Sequence, residues 1–149
     1  VQTCALPICE MSDYSSLFGS HLRKGKETVS IDTLSGKIVG LYFSAHWCPP
    51  CRAFTPLLRR AYLDAVKKGL NFEVVFCSFD MSAADFEEYY GSMPWLAIPF
   101  EKKSLRNELS DRYGVEGIPT LLLLDETGVY NAEGRMSVTK NPSGFPWRE

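Results

Sequence analysis

Cys48 and Cys51, in the run Trp47-Cys-Pro-Pro-Cys51, are the residues of this sequence best suited to chemistry. Two cysteines three apart at the start of a helix can close a small disulfide ring, with the first sulfur at the cap position facing solvent and the second tucked behind it. In that arrangement the first thiolate attacks a disulfide and the second resolves the mixed disulfide that forms. The helix amino end stabilises the Cys48 thiolate through its dipole and its unpaired amides. Pro49 and Pro50 supply no amide hydrogen, so only those of Cys51 and Arg52 remain to face the sulfur, and the activation should be moderate. Strong oxidants of this chemistry owe their potential to a very stable reduced thiolate, so the two prolines point toward a reductant. Half of a zinc site is the other reading of such a spacing, but no second pair accompanies it and a rigid Pro-Pro lies between the sulfurs. His46 is either a base or ligand, or a surface residue flanking the pair. Cys77, inside an apolar run, reads as a core residue.

The elements that must position the pair are legible on both sides of it. Lys37 to Ser44 is a near-continuous apolar run with β-branched and aromatic residues, the pattern of a strand buried on both faces and so of a central strand. Residues 49–68 carry Phe54, Leu57, Leu58, Ala61, Ala65 and Val66 at spacings of three and four, a stripe along a long helix that Gly69 ends and Pro56 should kink. The cysteines therefore sit at a strand-to-helix junction. Downstream, Phe72 to Phe79 reads as a second buried strand, with Asp80 at its carboxyl end. Ser82 to Asp85 has the form of a capping box opening a short helix that ends near Gly91. A further helix spans about residues 104–113, and Thr120 to Leu124 pairs through a turn at 125–128 with Val129 and Tyr130 as a hairpin. Upstream, Tyr14 to Phe18 makes one helical turn and Thr28 to Ile31 a short strand. The tail from Gly134 shows no helical stripe. The alternation predicts an α/β fold.

Composition narrows the partners. The chain has 149 residues, 45% hydrophobic and 23% charged, with a net charge of −2 and no long run of one sign, which argues against nucleic acid and anionic membranes. No stretch reaches the length of a membrane span. Five cysteines at irregular spacing do not form the even framework of a small secreted domain, and with no secretory signal pattern they point to a reducing compartment, the cytoplasm or also the nucleus. Residues 1–10 show no period or cap and are expected to lie outside the fold, with a single domain over 11–149. A zinc role for Cys4 and Cys9 is weak for want of a matching pair.

The stretch Leu41 to Arg52, the kinking Pro56, the run Met93-Pro-Trp-Leu-Ala-Ile-Pro99, the segment Gly117-Ile-Pro-Thr120 and the ending Phe145-Pro-Trp147 together resemble the nucleoredoxin and tryparedoxin branch of the thioredoxin superfamily. The resemblance covers about residues 14–148. It implies a thioredoxin-like fold, a central mixed twisted sheet flanked by helices, with the pair at the carboxyl end of the strand ending near Ser44. It implies substrate contacts from Trp47, Pro49, Pro50, Ile118, Pro119 and Arg135: an aromatic lid at Trp47, a cis bond before Pro119 with the Ile118 backbone free to pair with an extended peptide, and an arginine shaping contacts at Arg135. Pro94 and Trp95 would be packing near the site.

Two departures accompany the resemblance. Tyr42 stands six residues before Cys48, where ordinary thioredoxins hold a buried aspartate that assists the second cysteine. A phenol with an unperturbed pKa near 10 is a poor base at neutral pH, so the proton acceptor for Cys51 has no candidate. The stretch from Cys51 to Pro119 is also longer than in a simple thioredoxin, with extra material at about residues 82–101 expected at the rim of the site. The resulting expectation is a monomeric protein-disulfide reductase with no bound cofactor or metal, drawing electrons from a low-molecular-weight dithiol or a reductase and passing them to disulfide-containing proteins such as peroxiredoxins. A redox-sensing binding module of nucleoredoxin type is the alternative, and a secretory oxidase or isomerase a more distant one.

Overall fold

Residues 13–148 are described in a computed structural model of the chain; residues 1–12, with Cys4, Cys9 and the whole of the expected amino-terminal extension, and residue 149 lie outside the described residues. The elements in order are α1 (Asp13–Phe18), β1 (His21–Lys24), β2 (Glu27–Ser30), a 3-10 turn (Ile31–Leu34), β3 (Ile38–Ser44), α2 (Pro49–Lys67), β4 (Phe72–Ser78), α3 (Ala83–Tyr90), β5 (Leu96–Ala97), α4 (Lys103–Arg112), β6 (Thr120–Asp125), β7 (Gly128–Asn131) and α5 (Gly134–Lys140). The seven strands form one sheet in the order β2-β1-β5-β4-β3-β6-β7. β3 runs parallel to β4 and β4 parallel to β5, while the outer pairings are antiparallel. The sheet is thus mixed, flanked by helices, as expected.

β3 is central because both of its faces find cover. Tyr42 faces a cluster with Phe54, Leu58, Phe76 and Trp95, while Leu41 and Phe43 face the opposite cluster with Phe18, Leu34 and Leu109. Alternating side chains of one strand therefore supply two cores. α2 begins with Pro49 and Pro50 in its first turn, where a missing amide costs nothing. It runs through Pro56 to Lys67 and ends where Gly69 turns to φ +76°, a conformation glycine adopts freely.

Three elements escaped the sequence pattern. β1 buries only Leu22 fully among charged neighbours, and β5 is two residues long, so neither shows a period. The tail is not structureless: α5 packs Gly134 and Val138 inward, and a Cβ at Gly134 would lie 2.7 Å from the Leu121 carbonyl oxygen, so the close approach needs glycine. Ile31 belongs to the 3-10 turn and not to β2. The extra material at 82–101 also goes deeper than the rim. β5 is inserted between β4 and β1, and Trp95, Leu96, Ala97 and Ile98 are fully buried, so this segment ties the amino-terminal hairpin to the sheet. Trp95 meets Tyr42 and Tyr62 edge-on, the packing role expected of it.

Candidate active site

The strand-to-helix junction brings Cys48 and Cys51 together as a disulfide with Cα atoms 5.2 Å apart. Cys48 is the N-cap of α2, and its sulfur accepts the Cys51 amide at 3.2 Å. The Arg52 amide, expected to face the sulfur as well, donates instead to the Cys48 carbonyl at 3.0 Å, because the first helical hydrogen bond takes it. One amide is left where two were anticipated. The two cysteines differ in access, 5% exposed at Cys48 and none at Cys51. The first sulfur thus faces solvent through a narrow opening, and the second is sealed.

The Ile118–Pro119 bond is cis, as the resemblance implied, and so is Phe145–Pro146, which the sequence did not single out. The Ile118 carbonyl oxygen lies 3.8 Å from the Cys48 sulfur, and Ile118 with Phe79 packs on Ala45 and the two cysteines. Pro119 is buried beneath, while Pro49 and Pro50 are exposed beside the pair. Trp47 is 55% exposed and its indole N–H donates to the Phe79 carbonyl at 3.2 Å, so it stands over the surface and not in the core. Arg135 is exposed on the first turn of α5, away from the disulfide in sequence but on the helix whose Gly134 abuts Leu121 in β6.

Behind Cys51 lies a group of hydroxyls that the sequence offered no way to assemble. Thr55 Oγ1 donates to the Cys51 carbonyl at 3.0 Å and lies 2.6 Å from the Tyr42 hydroxyl and 2.7 Å from that of Tyr89; Tyr89 in turn is 2.7 Å from Ser44 Oγ. All four residues are buried. Burial pushes the Tyr42 phenol further above its ordinary value, with Tyr89 adding to the effect. The Tyr42 hydroxyl thus stays a neutral partner of the turn that carries Cys51, 3.4 Å from the Cys51 carbonyl. Burial likewise pushes the Cys77 thiol up to about 12, and its sulfur lies 3.9 Å from the Arg106 carbonyl, which fits the core reading of that residue.

His46 is half-buried, its ring 5.6 Å from that of Tyr89 and its amide bonded to Asp80 Oδ1 at 2.7 Å. Among the described residues no three His, Cys, Asp or Glu side chains converge as a metal site would require, and no helix is long and apolar enough to cross a membrane. The arrangement can make and break one disulfide at an accessible sulfur while a second waits behind it.

A family model described as thioredoxin-like matches residues 36–129. Over 123 residues the chain is 49% identical to tryparedoxin of Trypanosoma brucei brucei, covering 80% of this chain and 85% of that protein. It is 43% identical over 132 residues to nucleoredoxin of Danio rerio, covering 87% of this chain but only 32% of the longer protein. A tryparedoxin II solved in complex with glutathionylspermidine superposes with a TM-score of 0.84 at 39% identity, covering 94% of this chain and 99% of that one. With a cysteine pair at the head of α2 and a cis-proline beside it, the chain belongs to the thioredoxin-like family, in its tryparedoxin and nucleoredoxin branch.

Proposed function

We propose that this chain reduces disulfides in other proteins, with Cys48 as the attacking and Cys51 as the resolving sulfur. The observation that carries the reading is the asymmetry of the pair: one sulfur at the helix cap with an opening to solvent, the other fully enclosed one turn along. In the reduced state the Cys48 thiolate attacks one sulfur of a substrate disulfide, forming a mixed disulfide and releasing the other sulfur as a thiolate. Cys51, deprotonated, then attacks Cys48 Sγ, freeing the second substrate thiolate and closing the Cys48–Cys51 bond. Two electrons have passed to the substrate, and an outside dithiol or a reductase returns them. The cycle calls for no bound cofactor.

The single amide on the Cys48 sulfur supports a reductant over an oxidase, because few donors leave the thiolate only moderately stabilised. A potential at the oxidising end of the known range, roughly −120 mV, would contradict this. In this reading the Ile118 backbone pairs with an extended substrate strand beside the disulfide, with Pro119 shaping the approach. Trp47, Pro49 and Pro50 supply apolar contact, and Arg135 touches the substrate from α5. Glutathionylspermidine, the ligand in the related tryparedoxin II structure, supports a small thiol as electron donor, and peroxiredoxins are reasonable acceptors.

Exposed Trp47 at 55% and Met81 at 88% favour a second reading, a surface that holds a signalling protein in a redox-dependent way, with turnover secondary. Insulin reduction tests both, with wild type and Cys48→Ser and with glutathione, a dithiol and a flavin reductase compared as donors. Activity that the substitution abolishes supports the reductase. No activity in either protein, with partner binding that depends on the oxidation state, supports the binding module.

A further inference from the structure

Asp80 has no part in the exchange just described, yet its placement ties it to the pair. The residue follows β4 and is 5% exposed. Its Oδ1 accepts the His46 amide at 2.7 Å, and its Oδ2 accepts the Ser78 hydroxyl at 2.9 Å. Ser78 Oγ itself receives the Asp80 amide at 2.8 Å, which leaves its own proton for the carboxylate. Both oxygens act as acceptors, the pattern an anion makes.

The neighbouring residue completes a clamp. Phe79 donates its amide to the Ser44 carbonyl at 2.9 Å and accepts the Trp47 indole N–H on its own carbonyl. Residues 79 and 80 thus hold 44, 46 and 47, the chain immediately before the attacking cysteine. Behind them, Arg106, only 9% exposed, sends its donors to the Ser78 and Phe100 carbonyls and lies 4.2 Å over the Phe100 ring. The cation reaches the Asp80 segment through a backbone carbonyl and leaves the carboxylate's charge to the loop.

We infer that Asp80 is a positioning residue for the thiol-disulfide exchange, one that fixes the loop at residues 45–48 and sets its carboxylate against the chain that leads into Cys48. The inference rests on the reading that Cys48 and Cys51 cycle between dithiol and disulfide. One residue, Trp47, separates His46 from Cys48, and the turn is closed by the Cys48 amide on the Ala45 carbonyl at 3.3 Å, so carboxylate and sulfur lie on the order of 10 Å apart. At that range a buried charge disfavours a second one. The Cys48 thiolate is raised in energy, the reduced form loses stability, and the couple becomes more reducing. The other titratable or charged groups facing this region are His46 on the loop, Cys51, Tyr42 from β3, Tyr89 from α3 and Arg106 from α4.

The test is Asp80→Asn, which keeps an acceptor for the His46 amide and removes the charge, read in two assays that need no protein substrate. The first is the pH profile of iodoacetamide alkylation of reduced Cys48; the second is the dithiol-disulfide equilibrium against a glutathione redox buffer at pH 8. The expected results are a profile moved to lower pH by about half a unit to one unit and an equilibrium moved about threefold to fivefold toward the dithiol. Both should persist on the His46→Asn background, where the imidazole is absent. Asp80→Ala should add faster hydrogen exchange at the His46 amide. If that variant does not fold, the Asn variant decides alone. A profile and an equilibrium unchanged from wild type, or shifts that vanish with His46, overturn the inference. Failure of wild type to reduce insulin would instead strike the proposed function, and failure of the pair to equilibrate with glutathione would strike the redox cycle itself.

Discussion

Glu73 and Asp80 stand near the two ends of β4, both buried, at 3% and 5% exposure, and their partners lie in different kinds of structure. Glu73 accepts the Tyr62 hydroxyl at 2.8 Å and the amide of its own neighbour Val74 at 3.1 Å, beside a packed end where Phe72 meets Tyr62, Phe145 and Trp147. Asp80 accepts the loop that leads into Cys48. At the carboxyl ends of the parallel strands β3 and β4 the chain leaves the sheet for loops and a helix amino terminus, the place where open α/β sheets carry their chemistry. At the amino ends the tail folds under and closes the core. A buried acid is therefore no mark of function by itself; what its oxygens hold decides its part.

The comparison predicts that substitutions at the carboxyl end change the chemistry and spare the stability, while those at the amino end do the reverse. Its strongest form is Cys48→Ser, which should reduce disulfide reduction to the uncatalysed background while leaving the denaturant midpoint of the reduced protein near that of wild type. Cys51→Ser should instead accumulate the mixed disulfide, seen by mass spectrometry. A large loss of stability in either variant would blur the division.

At the opposite end, Phe72→Ala should cost about 3–5 kcal/mol in urea unfolding, since the ring is 2% exposed and touches three other aromatic rings. The rate per folded molecule should stay close to wild type. A rate that falls with the stability would show that the two ends are coupled.

Glu73 sharpens the contrast through pH. Its folded pKa is raised, chiefly by burial, with the bonds from Tyr62 and Val74 opposing. Between its unfolded value near 4.3 and that raised value the native state holds more protons than the unfolded chain, so stability falls as pH rises through the window. Glu73→Gln should remove this dependence, leaving a variant more stable than wild type at pH 7 and level with it at the acid end of the window. An identical pH dependence in both proteins would assign it elsewhere.

The smallest effect is expected from Tyr42→Phe. With its phenol held neutral by burial, turnover should stay within about twofold and the pH profile should keep its shape, while stability drops by about 1 kcal/mol for the lost hydrogen bond. A profile missing one limb would restore Tyr42 as a proton carrier.

The pair, β3, α2, β4 and the hairpin of β6 and β7 were legible in the sequence because each is long or punctuated enough to show its period or its turn. β3 came within a residue of its observed bounds, and α2 ended at the glycine that stops it. β1, β5 and α5 were not legible: a four-residue strand with one fully buried side chain, a two-residue strand and a helix with two buried positions contain too few repeats to declare a period. Their existence depends on neighbours that the fold supplies, as β5 depends on β4 and β1 lying on either side of it.

The site divides along the same line. Local order alone dictated the Cys-Pro-Pro-Cys spacing, the proline-led helix start and an Ile-Pro bond able to be cis, since each is a property of a few consecutive residues. Only the tertiary structure decided that Thr55 and Tyr89 meet behind Cys51, and that Asp80 reaches an amide thirty-four residues away. These depend on which groups lose water together when distant segments pack, and the hydrophobic period of a strand or helix says which face is buried without saying what it is buried against.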